Sequence, residues 1–179
     1  MSMATEENGW VNTADGQNPA LLARARQILA STLYATLATS SPAGLPWAAP
    51  LFFVYDADWN LYWSSAIAAR HSQDLAASGG RAAIAVYSTD RAVGKGQGLY
   101  LVGRAAAVEP EAVAQIVPLF DRRSPLEQHR SPADYLGPSP RRIYRFQPEA
   151  VWMTGDRLPV SETVLVDTRV QLDLASLVG

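Results

Sequence analysis

The stretch WSSAIAARHSQD, from Trp63 to Asp74, marks the point at which a strand passes into a helix. An apolar run with β character ends there in two hydroxyl residues, Ser64 and Ser65. A helix is predicted over residues 68–77, and the two glycines that follow it are typical of a helix end. The junction therefore gathers hydroxyl and cationic side chains where the backbone changes conformation.

The opening turn of the predicted helix carries Arg70, His71 and Ser72. The first backbone N–H groups of a helix lack partners within the helix, and the helix dipole adds partial positive charge, so this turn favours a phosphate. Arg70 offers bidentate donors, and the hydroxyls offer further hydrogen bonds. The ordinary alternative is that the serines cap the helix and that the Arg-His pair is solvated surface.

Outward from this junction, the hydrophobic pattern alternates between strands and helices. Runs rich in β-forming residues, separated by turns such as SPAG and ADWN, predict strands over 33–40, 46–56, 61–65, 81–88, 99–109 and 141–155. Helices are predicted over 19–30, 68–77 and 110–120. This order predicts an α+β, mainly β fold, a six-stranded antiparallel barrel with peripheral helices.

The length and apolar content of the chain fit a single domain over residues 18–179, preceded by a flexible tail over residues 1–17. Pro50 cannot donate to a strand ladder, so it indicates an edge position or a bulge. Gly103 indicates a bulge in the fifth predicted strand.

A segment with four prolines follows the third predicted helix, over residues 121–141. It is expected at the surface, with one helical turn near residues 133–136. His129, within it, is expected to be a surface residue. The last twenty residues receive no assignment from the pattern.

Composition excludes several classes of function. The chain has 179 residues, 48% of them hydrophobic, a formal net charge of −2, a single lysine and no cysteine. Nucleic acid is therefore a poor partner, and disulfides, thiolate metal sites and cysteine nucleophiles are excluded. No histidine spacing fits a metal site. The absence of an apolar run of about 20 residues and of a signal-like start predicts a soluble, cytoplasmic protein without membrane partners.

Two further candidates could meet a flat ligand. Gln97 lies between Gly96 and Gly98, where the backbone allows close approach, and its amide suits the pyrimidine edge of a flavin. The alternative is a flexible loop that happens to contain glutamine. Trp152, near the end of the last predicted strand, could border a ring system, although most aromatic residues of this chain are expected in the core or an interface.

In their order along the chain, these features resemble the FMN-binding split β-barrel family related to pyridoxamine 5′-phosphate oxidase. The resemblance is carried by YATLATSSPAGLPWAAPLFFVYDADWNLYWSSAIAARHSQDLAASGGRAAIAVYS, then GQGLYLVGRAAAVEP, and RRIYRFQPEAVW extends it to the last barrel strand. It implies a homodimer with FMN in clefts at the subunit interface and a small-molecule substrate. Related branches of this superfamily bind the deazaflavin F420 or haem instead.

The resemblance also implies roles for particular residues. Main-chain groups of the second and third strands would meet the flavin ring and ribityl chain, the Arg-His pair would neutralise the phosphate, serines would bind phosphate or ribityl oxygens, the glutamine would contact the polar ring edge, and a tryptophan would wall the ring. The implied cofactor-binding set is Pro50, Leu51, Phe52, Trp63, Ser64, Ser65, Arg70, His71, Ser72, Gln97 and Trp152.

The chain departs from the oxidase at two places. It has Arg70-His71 where the oxidase usually has an Arg-Lys pair, so part of the phosphate charge would face an imidazole near its titration range. The C-terminal Arg- and His-bearing substrate segment of the oxidase has no counterpart here, which argues against pyridoxamine phosphate oxidation. Three hypotheses follow: a flavin-dependent oxidoreductase without an assigned catalytic side chain, a cofactor-binding or sensing module without turnover, and a structural barrel whose aromatic residues serve dimerisation.

Overall fold

The computed structural model describes residues 1–124 and 130–178. The fold is mainly β-sheet with a few helices. Strands in the described part are β1 (Val11–Asn12), β2 (Tyr34–Ser40), β3 (Pro46–Phe52), β4 (Val54–Tyr55), β5 (Leu61–Ala66), β6 (Arg81–Tyr87), β7 (Gly98–Ala107), β8 (Arg141–Thr154), β9 (Leu158–Pro159), β10 (Leu165–Val166) and β11 (Arg169–Leu172). Helices are α1 (Pro19–Ser31), α2 (Arg70–Ala77), α3 (Val113–Arg123) and α4 (Leu174–Leu177), with 3₁₀ turns at Pro110–Ala112 and Pro132–Tyr135.

The long predicted elements are confirmed, with shifts of a few residues at their ends. Contacts divide the chain into two compact units, where the sequence predicts one domain. The central unit comprises Leu33–Ile84 and Val102–Pro148; the terminal unit comprises Met1–Thr32, Ala85–Leu101 and Glu149–Gly179. In the described residues, none of the helices combines the length and apolar character that crossing a bilayer requires.

In the central unit, strand order is β3-β2-β6-β7-β8-β5-β4. β3 lies at the sheet edge and pairs antiparallel with β2, and Pro50 stands opposite Thr36. This confirms the edge position predicted for Pro50, because its missing N–H faces no further strand. The single strand predicted over 46–56 is interrupted at Phe53, whose side chain is buried and whose N–H bonds to the carbonyl of Leu33.

The pairing of β5 with β8 positions the candidate site. The two strands are antiparallel, with Ser64 opposite Ile143 and Ala66 opposite Arg141. On one side of this pair lies a buried cluster of eight residues, four of them from α3: Val54, Tyr62, Val113, Ile116, Val117, Phe120, Tyr135 and Ile143. The early part of β8 is therefore held beside the end of β5.

Gly103 of β7 is explained by close approach. A Cβ atom built there would lie 2.0 Å from the carbonyl oxygen of Gln147, so any side chain would clash with the neighbouring backbone. The helical turn expected near residues 133–136 is confirmed as the 3₁₀ turn, although Tyr135 within it is buried rather than exposed. The prediction for His129 lies outside the described residues.

In the terminal unit, residues 1–17, predicted to be a flexible tail, contain a strand that the sequence pattern does not indicate. β1 pairs in parallel with β11, which in turn pairs antiparallel with the last residues of β8. Two residues are too few to produce a period, so only the partner strand reveals them. Asn18 caps α1 as predicted, because its side chain accepts the N–H of Ala20.

Candidate functional site

The N-terminus of α2 in the central unit lacks a side-chain cap. Its N-cap residue is Ala69, whose side chain offers no hydrogen bond to the first turn. The N–H of Gln73 donates to the Ala69 carbonyl, which is the first backbone hydrogen bond of the helix. The N–H groups of Arg70, His71 and Ser72 therefore have no capping side chain, and such groups are able to bind an anion. This arrangement is what the junction in the sequence predicts for a phosphate site.

Arg70 is held beside this helix end by an aromatic ring. Its guanidinium lies over Trp47 of the edge strand β3, 4.7 Å from the ring centroid. Both side chains are exposed. The cation–π contact orients the guanidinium while leaving its N–H donors available to a ligand.

His71 is bonded to the serine that precedes the junction. Its Nε2 lies 2.7 Å from Oγ of Ser65, which is 6% exposed. Burial lowers the pKa of His71 below the usual 6.5, and the Asp74 carboxylate opposes this shift only in part. The imidazole is accordingly neutral near pH 7 when no anion is bound.

Two buried groups fix the helix on which this histidine lies. Asp74, 6% exposed, accepts a hydrogen bond of 2.9 Å from the hydroxyl of Thr39 on β2. Ser72 donates to the carbonyl of Ala66 at 2.8 Å, so its hydroxyl hydrogen already has a partner. The Asp74 hydrogen bond positions the body of the helix, and the Ser72 hydrogen bond positions its first turn.

The opposite face of β5 meets a different cation. The hydroxyl of Ser64 accepts from Arg141, with Nε at 3.1 Å and Nη2 at 2.9 Å. A cavity of about 870 Å³ adjoins this pair, near the upper end of the range of about 300–1,000 Å³ for small-molecule sites. Pro50, Leu51 and Phe52 also line it. The structure thus brings these three predicted residues together with Ser64.

Arg141 is a candidate that the sequence analysis does not single out. It stands at the start of a predicted strand, where a lone arginine is normally solvated. Only the pairing of β8 with β5 brings its side chain to Ser64. The signal available in the sequence is weak, an arginine at the head of a strand whose partner is unknown.

Trp63, which precedes these two serines, belongs to the core. Its side chain is 1% exposed and stacks on Tyr144 with ring centroids 5.8 Å apart. Any part that this residue plays at a ligand would use its main chain, as the resemblance implies.

Gln97 and Trp152, the other predicted residues, belong to the terminal unit. Gln97 is exposed and lines a cavity of about 290 Å³ together with Tyr87 and Tyr100. Gly98, next to it, donates its N–H to the hydroxyl of Thr154 at 3.1 Å. Trp152 is half-buried in β8 opposite Gln171.

Comparisons with known proteins agree with this architecture. A family model described as pyridoxamine 5′-phosphate oxidase matches residues 21–155. A protein of unknown function from Agrobacterium tumefaciens is 24% identical, with a TM-score of 0.64 over 82% of this chain and 61% of that one. A heme binding protein from Mycobacterium smegmatis is 21% identical, with a TM-score of 0.63 over 90% of this chain and 61% of that one.

A third solved structure, an F420 reductase, is 20% identical, with a TM-score of 0.54 over 70% of this chain and 94% of that one. At these identities the likeness shows the fold. The present chain spans about three fifths of the length of the first two proteins. A search of curated proteins finds no match.

Proposed function

Because the chain belongs to the pyridoxamine 5′-phosphate oxidase family, we propose that it is an FMN-binding flavoprotein, an oxidoreductase acting on a small molecule. The observation that carries the proposal is the uncapped start of α2, with Arg70 and His71 in its first turn and Ser65 bonded to His71. A dianionic phosphate is the ligand that this set of donors suits best.

The residues at this corner fit the phosphate in number and kind. Arg70 supplies a permanent charge, the free N–H groups supply neutral donors, and His71 supplies a second charge if the phosphate raises its pKa. Ser65 is already placed to share a proton with His71. Ser72 acts by fixing the first turn, since its hydroxyl hydrogen is bonded to Ala66.

The adjoining cavity is proposed to receive the rest of the nucleotide. Ser64 lines the cavity, and Ser65 is bonded to His71 at the phosphate corner. The two serines are consecutive, so their Cα atoms are only about 3.8 Å apart, and one ligand extending from the corner to the cavity would meet both. Pro50, Leu51 and Phe52 would offer main-chain groups to the ring and ribityl chain, and Ser64 a hydroxyl. Leu51 and Phe52 are only partly buried, which leaves them open to such contacts.

When bound, FMN supplies the redox chemistry, because its ring accepts and donates hydride or electron pairs. The chain's own residues bind the phosphate, orient the ring beside β3 and keep Arg141 directed at the cavity. No side chain is assigned as an acid or base. The roles of Gln97 at the ring edge and Trp152 at the ring wall are proposed from the family resemblance, and so is the six-stranded split barrel.

A homodimer with the cofactor at the subunit interface is part of the proposal. Edge strand β3 and the turn before it expose apolar side chains, with Leu45 59% and Trp47 41% exposed, and Tyr34 opposite the strand's end is 62% exposed. An exposed apolar sheet edge favours coverage by another chain. Sedimentation that reports a monomer which still binds flavin would contradict this arrangement.

The second candidate is a module that binds F420, FMN or haem without turnover, and the likeness in fold to an F420 reductase and a heme binding protein favours it. The test begins with mass spectrometry of the small molecule that copurifies with the protein. Yellow protein that contains FMN and is bleached by a reduced nicotinamide supports the oxidoreductase. Yellow protein inert to reductants supports the module, and colourless protein whose melting temperature is unchanged by FMN, F420 or haem contradicts both.

A further inference from the structure

An aromatic wall runs along the cavity beside β3, separate from the phosphate corner. Tyr34 meets Phe52 edge-on with ring centroids 6.0 Å apart, and Phe52 lies 6.4 Å from Phe120. Phe120 stacks on Tyr135 at 6.5 Å. All four residues line the cavity. Successive ring contacts of this kind form a surface that favours a flat aromatic ligand.

The charged side chains at this cavity differ in the partners that they bond to. Arg130 pairs with Asp121 at 3.2 Å, so its charge is already balanced. Asp134 accepts the N–H of Ser131 at 2.8 Å as part of a helix cap. Arg141, by contrast, bonds to the neutral hydroxyl of Ser64, and in residues 1–124 and 130–178 no carboxylate forms an ion pair with it. Arg141 therefore lines the cavity with only a neutral hydrogen-bond partner, and so does the carboxylate of Asp134.

Tyr135 adds a neutral donor next to this charge. Burial raises the pKa of Tyr135, although Arg130 and Arg141 act in the opposite direction. Its hydroxyl consequently keeps its proton at neutral pH. An aromatic surface, a guanidinium bonded only to a neutral hydroxyl and a protonated phenol are groups that can recognise a ring bearing a single negative charge.

We propose that this cavity binds a small aromatic carboxylate, with its ring against the accessible side chains of Tyr34 and Phe52 and its carboxylate on Arg141. The planar fork of a guanidinium matches a carboxylate, and a single arginine that shares its cavity with the carboxylate of Asp134 suits a monoanion rather than a phosphate dianion. That this carboxylate is the substrate rests on the proposed flavoprotein function; the binding site itself does not.

The test is calorimetric titration of the purified protein, with whatever cofactor it carries, using benzoate, 2-naphthoate and indole-3-carboxylate. Benzamide serves as the neutral isostere of benzoate and phenyl phosphate as the dianion. We expect at least one of the carboxylates to bind, and the tightest of them to bind at least tenfold more tightly than its amide. No binding by any of the three carboxylates, or equal binding of acid and amide, overturns the proposal.

Arg141→Met removes the charge and retains an unbranched apolar side chain. It should weaken carboxylate binding at least tenfold. Arg145→Met is the matched control, since Arg145 is an exposed arginine of the same strand that bonds to Gln147 and does not line this cavity; its affinity should stay within twofold of the original. If Arg141→Met fails to fold, Ser64→Ala tests the same point by releasing the guanidinium, with a severalfold loss expected.

Flavin content, measured on the same samples, separates this proposal from the proposed function. Carboxylate binding that depends on Arg141 in a protein without flavin supports the site and contradicts the flavoprotein. Flavin retention without carboxylate binding supports the flavoprotein and contradicts the carboxylate site. Loss of flavin and carboxylate together in Arg141→Met would assign the arginine to the cofactor and overturn the inference.

Discussion

Ser64 and Ser65 are neighbours in one strand, yet they serve two different environments. Ser64 is partly exposed and accepts from Arg141, a cation at every accessible pH. Ser65 is buried and bonded to His71, whose charge depends on pH. Alternate side chains of a strand point to opposite faces, so a step of one residue separates a permanent charge from a titratable one.

This contrast indicates that the two faces of the junction suit different anions. The face with His71 and the start of α2 offers backbone donors and adaptable charge, which suit a phosphate. The face with Arg141 offers a fixed charge beside aromatic rings, which suits an organic monoanion. Substitutions and titrations would distinguish the two faces, with the largest effect expected at Arg70 and the smallest at Trp47.

Arg70→Ala should reduce FMN affinity most. A hydrogen bond to a charged group contributes about 1.5–3 kcal/mol, and about 1.4 kcal/mol corresponds to a tenfold change, so we expect roughly 10- to 100-fold weaker binding. Fluorescence titration of the stripped protein with FMN measures it, with Arg81→Ala, an exposed arginine of β6, as control. Unchanged FMN affinity in Arg70→Ala would remove the phosphate from this corner.

Alanine substitutions at the two serines should differ in stability. Ser65→Ala leaves the ring nitrogen of His71 without its partner in a largely buried position, which costs about 1–2 kcal/mol. Ser64→Ala releases an exposed arginine and should cost about 0.5 kcal/mol or less. Urea unfolding of both variants checks this, and equal losses would show that the two faces are not distinct in the way described.

The pH dependence of the two faces should also differ. The folded-state pKa of His71 lies below 6.5, the value expected in the unfolded chain, so its stability contribution is present above about pH 6.5 and is lost as pH falls through the folded value. A bound phosphate would raise this pKa, so FMN binding takes up a proton and weakens as pH rises from the lowered pKa of the free protein towards the raised pKa of the complex.

Calorimetry between pH 6 and 8 measures this slope, and comparison with His71→Gln removes the contribution of the phosphate's own titration. Carboxylate binding at Arg141 should stay level over the same range, because no histidine is among the described residues that line that cavity. A slope for FMN that persists in His71→Gln would show that the imidazole is not the group responsible.

Trp47→Leu should have the smallest effect. It removes the ring beneath Arg70 but leaves the guanidinium in place. An exposed cation–π contact contributes about 0.5–1 kcal/mol, which predicts roughly two- to fivefold weaker FMN binding. Sedimentation on the same variant is needed, because Trp47 lies on the exposed sheet edge; a loss as large as that of Arg70→Ala would indicate a direct contact with the ligand.

Much of the fold is predictable because it rests on local patterns. The β period of YATLATS and the helical spacing after Asn18 identify β2 and α1, and the edge position of Pro50 follows from its missing donor. β1 and the break at Phe53 are not predictable in this way, since both depend on which segment lies alongside.

The candidate site divides along the same line. Arg70 and His71 are found from sequence because a helix start is a local feature with its own electrostatics. Arg141 is missed because it reaches Ser64 only through the pairing of strands far apart in the chain. Ser72 keeps its predicted place, but the tertiary structure shows its hydroxyl engaged with Ala66.

Residue types a few positions apart are enough to identify the strand-to-helix junction, the cations in its first turn and the sheet-forming segments. Long-range packing is needed to show which serine meets histidine, which meets arginine, and that four aromatic rings line one cavity. Those outcomes depend on strand register, which long-range packing sets and which local propensity does not encode.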